Sequence, residues 1–263
     1  MKLLVSVVSA EEARHALVGG ADIVDVKDPR EGPLGAPSPR VLSEVVQAVG
    51  TSAPVSVALG DLSALPHTAA LAARGAALTG ACYVKVGLRD VRELDRAGPM
   101  LSAVADAVGP HTAVIAAAYA DAGALDPPAF APAWLPELLA RSGIAGALVD
   151  TFVKDGRGLY DWLSESAVSD LVARTRAVGG SFAVAGQLRR GELRRVDADV
   201  VGVRSAVCRG GLRTAELDAE LVAAAAAEVH GHADSHAGTI RVPIPPGART
   251  MTVTPVRRMA SGR

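Results

Sequence analysis

From Leu3 onward the chain repeats one pattern: a short β-branched or aliphatic run, a turn rich in Gly, Pro or Asp, then apolar residues at helical spacing. Eight such runs read as strands: Leu3 to Val8, Asp22 to Lys27, Pro54 to Leu59, Tyr83 to Leu88, Ala113 to Tyr119, Ala147 to Thr151, Phe182 to Gly186 and Val200 to Ser205. Their starts lie roughly 15 to 35 residues apart, the length of a strand plus a crossover helix. Eight units in one chain of this size predict an α/β fold, a (β/α)8 TIM barrel, rather than an open sheet.

Helix-end signals agree. Ser9 with Glu12 reads as a capping box, Gly19-Gly20 as that helix's end, and Ser38-Pro39 as an N-cap followed by proline in the first turn. The stretch Val91 to Val108 is expected to bend or break at Gly98-Pro99. Four prolines between Ala122 and Pro136 predict a long loop before a helix from Leu135 to Arg141, and a last helix is expected from Ala215 to about Val229. The barrel domain is accordingly placed at 1–230, with a C-terminal extension at 231–263 containing His232, His236 and the alternating run Thr250 to Val253, expected to be largely flexible.

Composition narrows the functional classes. Aromatic residues make up 3% of the chain, so the core must be built from Ala, Val and Leu. A net charge of -1 gives no electrostatic reason to expect nucleic acid, and no apolar run is long enough for a signal-peptide core or a membrane span. Two cysteines, Cys82 and Cys208, are too few for a disulfide framework and suit a reducing cytoplasm. His230, His232 and His236 have a spacing that suits a metal ion, but they fall in or beside the extension; no catalytic metal and no cofactor is expected.

Only four of the 27 basic residues are lysine, namely Lys2, Lys27, Lys85 and Lys154. An amine forms Schiff bases and a guanidinium does not, so lysines in an arginine-rich chain are candidates for chemistry. Barrel active groups sit at the C-terminal ends of strands, which selects Asp25 and Lys27, Lys85, Tyr119 and Asp121, Asp150 with Lys154, and Arg204. Alternation puts Asp25 with Lys27 on one strand face and Tyr83, Lys85 and Gly87 on another. Crowded amines lower one another's basicity, and adjacent carboxylates can move protons. The structural alternatives are ion pairs or solvated loop lysines, with Tyr119 and Asp121 forming a turn. Gly186 and Gln187 after the seventh strand, and Gly202, Arg204 and Ser205 after the eighth, form a candidate phosphate cradle. Glu31 to Ala36 forms a glycine-rich loop suited to covering the mouth.

These segments resemble a known family. Val24-Asp25-Val26-Lys27, Tyr83-Val84-Lys85-Val86-Gly87-Leu88, Tyr119-Ala120-Asp121-Ala122, Asp150-Thr151, Val153-Lys154-Asp155-Gly156 and Val201-Gly202-Val203-Arg204 are similar to motifs of (5-formylfuran-3-yl)methyl phosphate synthase, in order, over residues 1–228. The resemblance implies a barrel that condenses two molecules of glyceraldehyde 3-phosphate, with Lys27 as Schiff-base residue, Lys85 as proton acceptor, and Asp25, Asp150 and Lys154 in the site. It also implies small-molecule triose phosphates as partners; a homo-oligomer is expected. Asp28, Gln187 and Ser205 depart from the family pattern. A class I aldolase of another phosphorylated sugar and a non-catalytic phosphate sensor remain open at this point.

Overall fold

The computed structural model describes residues 1–195 and 197–231; His232, His236 and Thr250 to Val253, with the rest of the extension, lie outside them. Eight parallel strands close into a barrel in chain order: β1 (Lys2–Val7), β2 (Ile23–Val26), β3 (Val55–Asp61), β4 (Tyr83–Gly87), β5 (Ala113–Tyr119), β6 (Gly146–Asp150), β7 (Ser181–Val184) and β8 (Val200–Val203), which pairs back onto β1. Around it lie α1 (Ala10–Val18), α2 (Pro39–Val49), α3 (Pro66–Leu78), α4 (Leu94–Val108), α5 (Leu135–Ser142), the single turn α6 (Leu159–Trp162), α7 (Glu165–Ala177) and α8 (Ala219–His230).

The strands are buried on both faces, and alternation divides their labour. Val5, Val7, Val24, Val26, Val55, Val57, Val84, Val86, Val149 and Val201 join the apolar layer beneath the helices. The inward face mixes small and polar residues with the aliphatic Leu4, Ile23, Ile115 and Leu148, and the register sets Ser6 beside Asp25, Ala58 beside Lys85 and Tyr119 beside Asp150. Alanine at 58, 117 and 183 keeps this interior open enough to hold charged side chains from neighbouring strands.

Four details differ from the sequence expectation. Helix α4 runs unbroken through Pro99; burying Ala97, Met100, Leu101, Val104 and Val108 outweighs the one hydrogen bond that proline removes, since each large apolar side chain contributes about 1.5–3 kcal/mol and a hydrogen bond about 1. The capping box is half formed: Ser9 Oγ accepts from Glu12 N, but the Glu12 carboxylate turns to Val8 N and to an arginine. Helix α8 starts at Ala219, because a bridge between Cys208 and Leu217 holds the preceding residues extended and Asp218 caps the first turn. Finally, among the described residues β7 connects to β8 without a helix, through turns between Arg190 and Arg194.

Candidate active site

Lys27 follows β2 directly, and its backbone N–H extends the ladder to Val7 O at 3.1 Å. Its side chain points into the barrel, where Nζ donates to Pro33 O at 3.3 Å. The amine is lowered from its usual 10.5 to about 8, chiefly by burial; the positive charges of Lys85 and Lys154 push the same way, while the carboxylates of Asp150 and Asp25 oppose the shift. Desolvation thus supplies most of what amine crowding was expected to do.

Two amine–carboxylate pairs flank it. Lys85 Nζ lies 2.6 Å from Asp25 Oδ2, which also accepts from Ser6 Oγ at 2.9 Å. Asp25 is fully buried and its Oδ1 has no partner among the described residues. Lys154 Nζ lies 2.7 Å from Asp150 Oδ1 and 3.1 Å from Thr151 Oγ1. Burial alone would raise the Asp150 carboxyl; the ammonium groups of Lys154 and Lys27 and the N–H of Thr151 overcome this and hold it below its usual range. Lys27, Lys85, Asp150 and Lys154 line one cavity at the mouth.

The remaining expected residues fall into supporting positions. Tyr119 is wholly buried, and its hydroxyl donates to Asp61, 2.7 and 2.8 Å from the two carboxylate oxygens. Burial, with the Asp61 charge behind it, raises the phenol well above 10. Asp121 accepts from Phe152 N and Val153 N at 2.7 and 2.8 Å, fixing the segment that delivers Lys154. Gln187, at a φ of 48°, donates to Arg157 O and accepts from Gly156 N, so its amide clamps the loop after Lys154. At Gly186 a Cβ would stand 3.0 Å from Thr151 N; at Gly202 it would stand 3.3 Å from Ala185 Cβ. Both glycines let neighbouring chain pass close beside the cavity. Ser205, at the start of the short turn Ser205–Val207, lines it.

Arg204 occupies a different position from the one expected of a free phosphate ligand. Its Nε donates to Arg213 O, Nη1 to Ser6 O and Glu12, and Nη2 to Glu12 and Ala215 O, which occupies all five of its N–H donors. The N-terminus of α8 is likewise occupied, by the Asp218 carboxylate. Sequence reading missed Glu12, Asp61 and Arg213. The last lines the cavity from the β8–α8 loop and donates through Nη2 to Pro29 O and Gly32 O, at 3.0 and 3.2 Å, tying down the loop that follows Lys27. A signal for Asp61 was present in Gly87, where a Cβ would meet Asp61 Oδ1 at 2.2 Å. Among the described residues no group of His, Cys, Asp and Glu is arranged as a metal-ligand set.

A closed parallel barrel with amines and carboxylates gathered at the C-terminal mouth has the architecture of a barrel lyase or synthase. A family model described as 4-HFC-P synthase matches residues 3–226. The (5-formylfuran-3-yl)methyl phosphate synthase of Methanosarcina mazei is 41% identical over 234 residues, covering 87% of this chain and 99% of its own. The protein of the same description from Methanocaldococcus jannaschii is 38% identical over 232 residues, covering 84% and 97%. The chain belongs to the (5-formylfuran-3-yl)methyl phosphate synthase family. Solved structures share the fold alone: a thiamine phosphate pyrophosphorylase from Pyrococcus furiosus superposes with a TM-score of 0.57 at 16% identity, covering 88% of this chain and 96% of its own. An orotidine 5'-phosphate decarboxylase from Pyrococcus horikoshii gives 0.57 at 18%, covering 87% and 99%.

Proposed function

We propose that the protein condenses two molecules of glyceraldehyde 3-phosphate into (5-formylfuran-3-yl)methyl phosphate, releasing one phosphate and two waters, with Lys27 as the covalent residue. The observation that carries this reading is the buried Lys27 amine, lowered to about 8 and set between two amine–carboxylate pairs. Its free base attacks the aldehyde carbon of one triose phosphate; loss of water leaves an iminium, an electron sink that acidifies the adjacent C–H. Asp25 offers the unpartnered Oδ1 as acceptor for that proton, while Lys85, bonded to Oδ2, balances its charge and returns a proton later. The resulting enamine carbon adds to the second aldehyde. Asp150 and Lys154 form the second proton-moving pair for the further dehydration and the departure of phosphate, and attack of the ring-forming hydroxyl on the iminium carbon expels the Lys27 amine and closes the furan.

No helix among the described residues is long and apolar enough to cross a membrane, and neither Cys82 nor Cys208 is in a disulfide, which supports placing the reaction in a reducing cytoplasm. Leu71 and Leu78, both exposed and two turns apart on α3, support the expected self-association, which light scattering tests. For the reaction itself, glyceraldehyde 3-phosphate alone should yield a near-ultraviolet furan chromophore, and borohydride should fix substrate to Lys27. A product without that chromophore would move the protein to the aldolase reading; an adduct on another lysine would overturn the role of Lys27.

A further inference from the structure

The charge gathered at the barrel mouth does not balance. Lys27, Lys85, Lys154 and Arg213 line the cavity against the carboxylates of Asp25 and Asp150, while Arg204 is neutralised by Glu12. This leaves a surplus of two positive charges, and a phosphate monoester carries about -1.5 to -2 at neutral pH. The lysines are poorly placed to hold that anion: Lys85 and Lys154 are engaged by carboxylates, and Lys27 has to lose its proton to act. Arg213 is different. It is a permanent cation, half-buried, with no carboxylate within ion-pair distance among the described residues, and only its Nη2 is engaged, on the carbonyls of Pro29 and Gly32. Nε and Nη1 keep three N–H donors for an incoming ligand. Lys27 and Arg213 are moreover tethered to consecutive carbonyls, those of Pro33 and Gly32, so one loop ties both the amine and the guanidinium to the rim of the cavity they line.

We infer that Arg213 binds the phosphate of the aldehyde that Lys27 attacks, a role for which the sequence had pointed to Arg204. The inference rests on the imine reading of the site. Phosphate on the free edge of the guanidinium would complete the charge balance and fix the Pro29–Gly35 loop over the bound substrate. Arg204 instead holds the Arg213 backbone in place through its bond to Arg213 O.

The test compares glyceraldehyde with glyceraldehyde 3-phosphate in borohydride trapping at Lys27, alongside calorimetric titration with inorganic phosphate. Arg213→Ala should lower trapping of glyceraldehyde 3-phosphate about ten- to hundredfold more than trapping of glyceraldehyde, whose smaller loss reports the released Pro29 and Gly32 carbonyls alone. It should abolish phosphate binding as well, and Arg213→Lys should retain part of both. A preference that survives Arg213→Ala, or equal loss with both aldehydes, would overturn the inference. If the alanine variant does not fold, Arg213→Lys reports the same ratio, and a wild-type ratio there counts against it. If wild-type Lys27 is trapped by neither aldehyde, the imine reading fails, and the phosphate titration still decides for or against Arg213 as an anion site.

Discussion

Lys85→Met and Asp150→Asn should move the Lys27 amine in opposite directions. With Lys27 at about 8 rather than 10.5, the free base at pH 7 is about one molecule in ten, about 300-fold more than for an ordinary lysine. Burial sets most of this, and the surrounding charges tune it. Lys85→Met removes a cation and strips Asp25 of its 2.6 Å partner, so both consequences favour protonated Lys27. Asp150→Asn removes the carboxylate that most favours the ammonium and unmasks Lys154, so both consequences disfavour it. At an effective dielectric near 20 a unit charge at roughly 7 Å would be worth about 2–3 kcal/mol, enough to shift the midpoint by about one pH unit or more. The assay is the pH dependence of glyceraldehyde trapping at Lys27, with a wild-type midpoint near pH 8. The Lys85→Met midpoint should rise but stay below 10.5, since desolvation persists, and the Asp150→Asn midpoint should fall. Shifts in the same direction, or none, would refute the electrostatic account of this site.

Three further outcomes follow from the same geometry. Between pH 8 and 10.5 the unfolded chain holds a proton on Lys27 that the native state lacks, so native stability rises with pH through that window, and below it a cost of about 3 kcal/mol persists. Lys27→Met should therefore melt higher than wild type at pH 7 and match it above pH 10.5; equal melting at pH 7 would contradict the depressed amine. Glu12→Gln leaves the Arg204 charge buried without its partner and should cost about 3–5 kcal/mol in denaturant unfolding, with Arg204→Met added to it recovering much of the loss. Gly87→Ala forces a Cβ against Asp61 and should destabilise by about 1–3 kcal/mol; the same substitution in an Asp61→Ala background should cost less, and an equal cost in both backgrounds would show that the contact is not the cause.

The parts of the site legible in the sequence were those encoded by strand period alone. Alternation placed Asp25 and Lys85 inside a barrel because an isolated charge on an apolar strand has few other places to go, and the register between β2, β3 and β4 then brings them together. Arg204 shows where that logic ends. Position along β8 correctly put it at the mouth, but whether a guanidinium faces ligand or protein depends on what surrounds it, and its carboxylate partner lies 192 residues away. Glu12 carried a plausible local role as a capping residue, which hid the distant one. Asp61 was concealed by a register shift after Ala58 that carries β3 past Gly60.

Arg213 sits in a loop with no periodicity, in a chain where arginine is the ordinary cation, so only its surroundings distinguish it. One arginine with all five donors on protein groups and a neighbour with three donors free among the described residues divide the work of the β8 end between holding the loop and offering a charge. Residue type and position along β8 pointed to Arg204, whose donors the structure shows on protein groups, while the anion is proposed to sit on Arg213 in the same loop. The two arginines also differ measurably: Arg204→Met should weaken phosphate binding through loss of loop order, so its effect should fall with added stabilising osmolyte by more than that of Arg213→Ala, which removes the anion's donors as well as a loop tether. Equal sensitivity of the two variants to osmolyte would mean that both arginines act through the fold and that neither is the anion ligand.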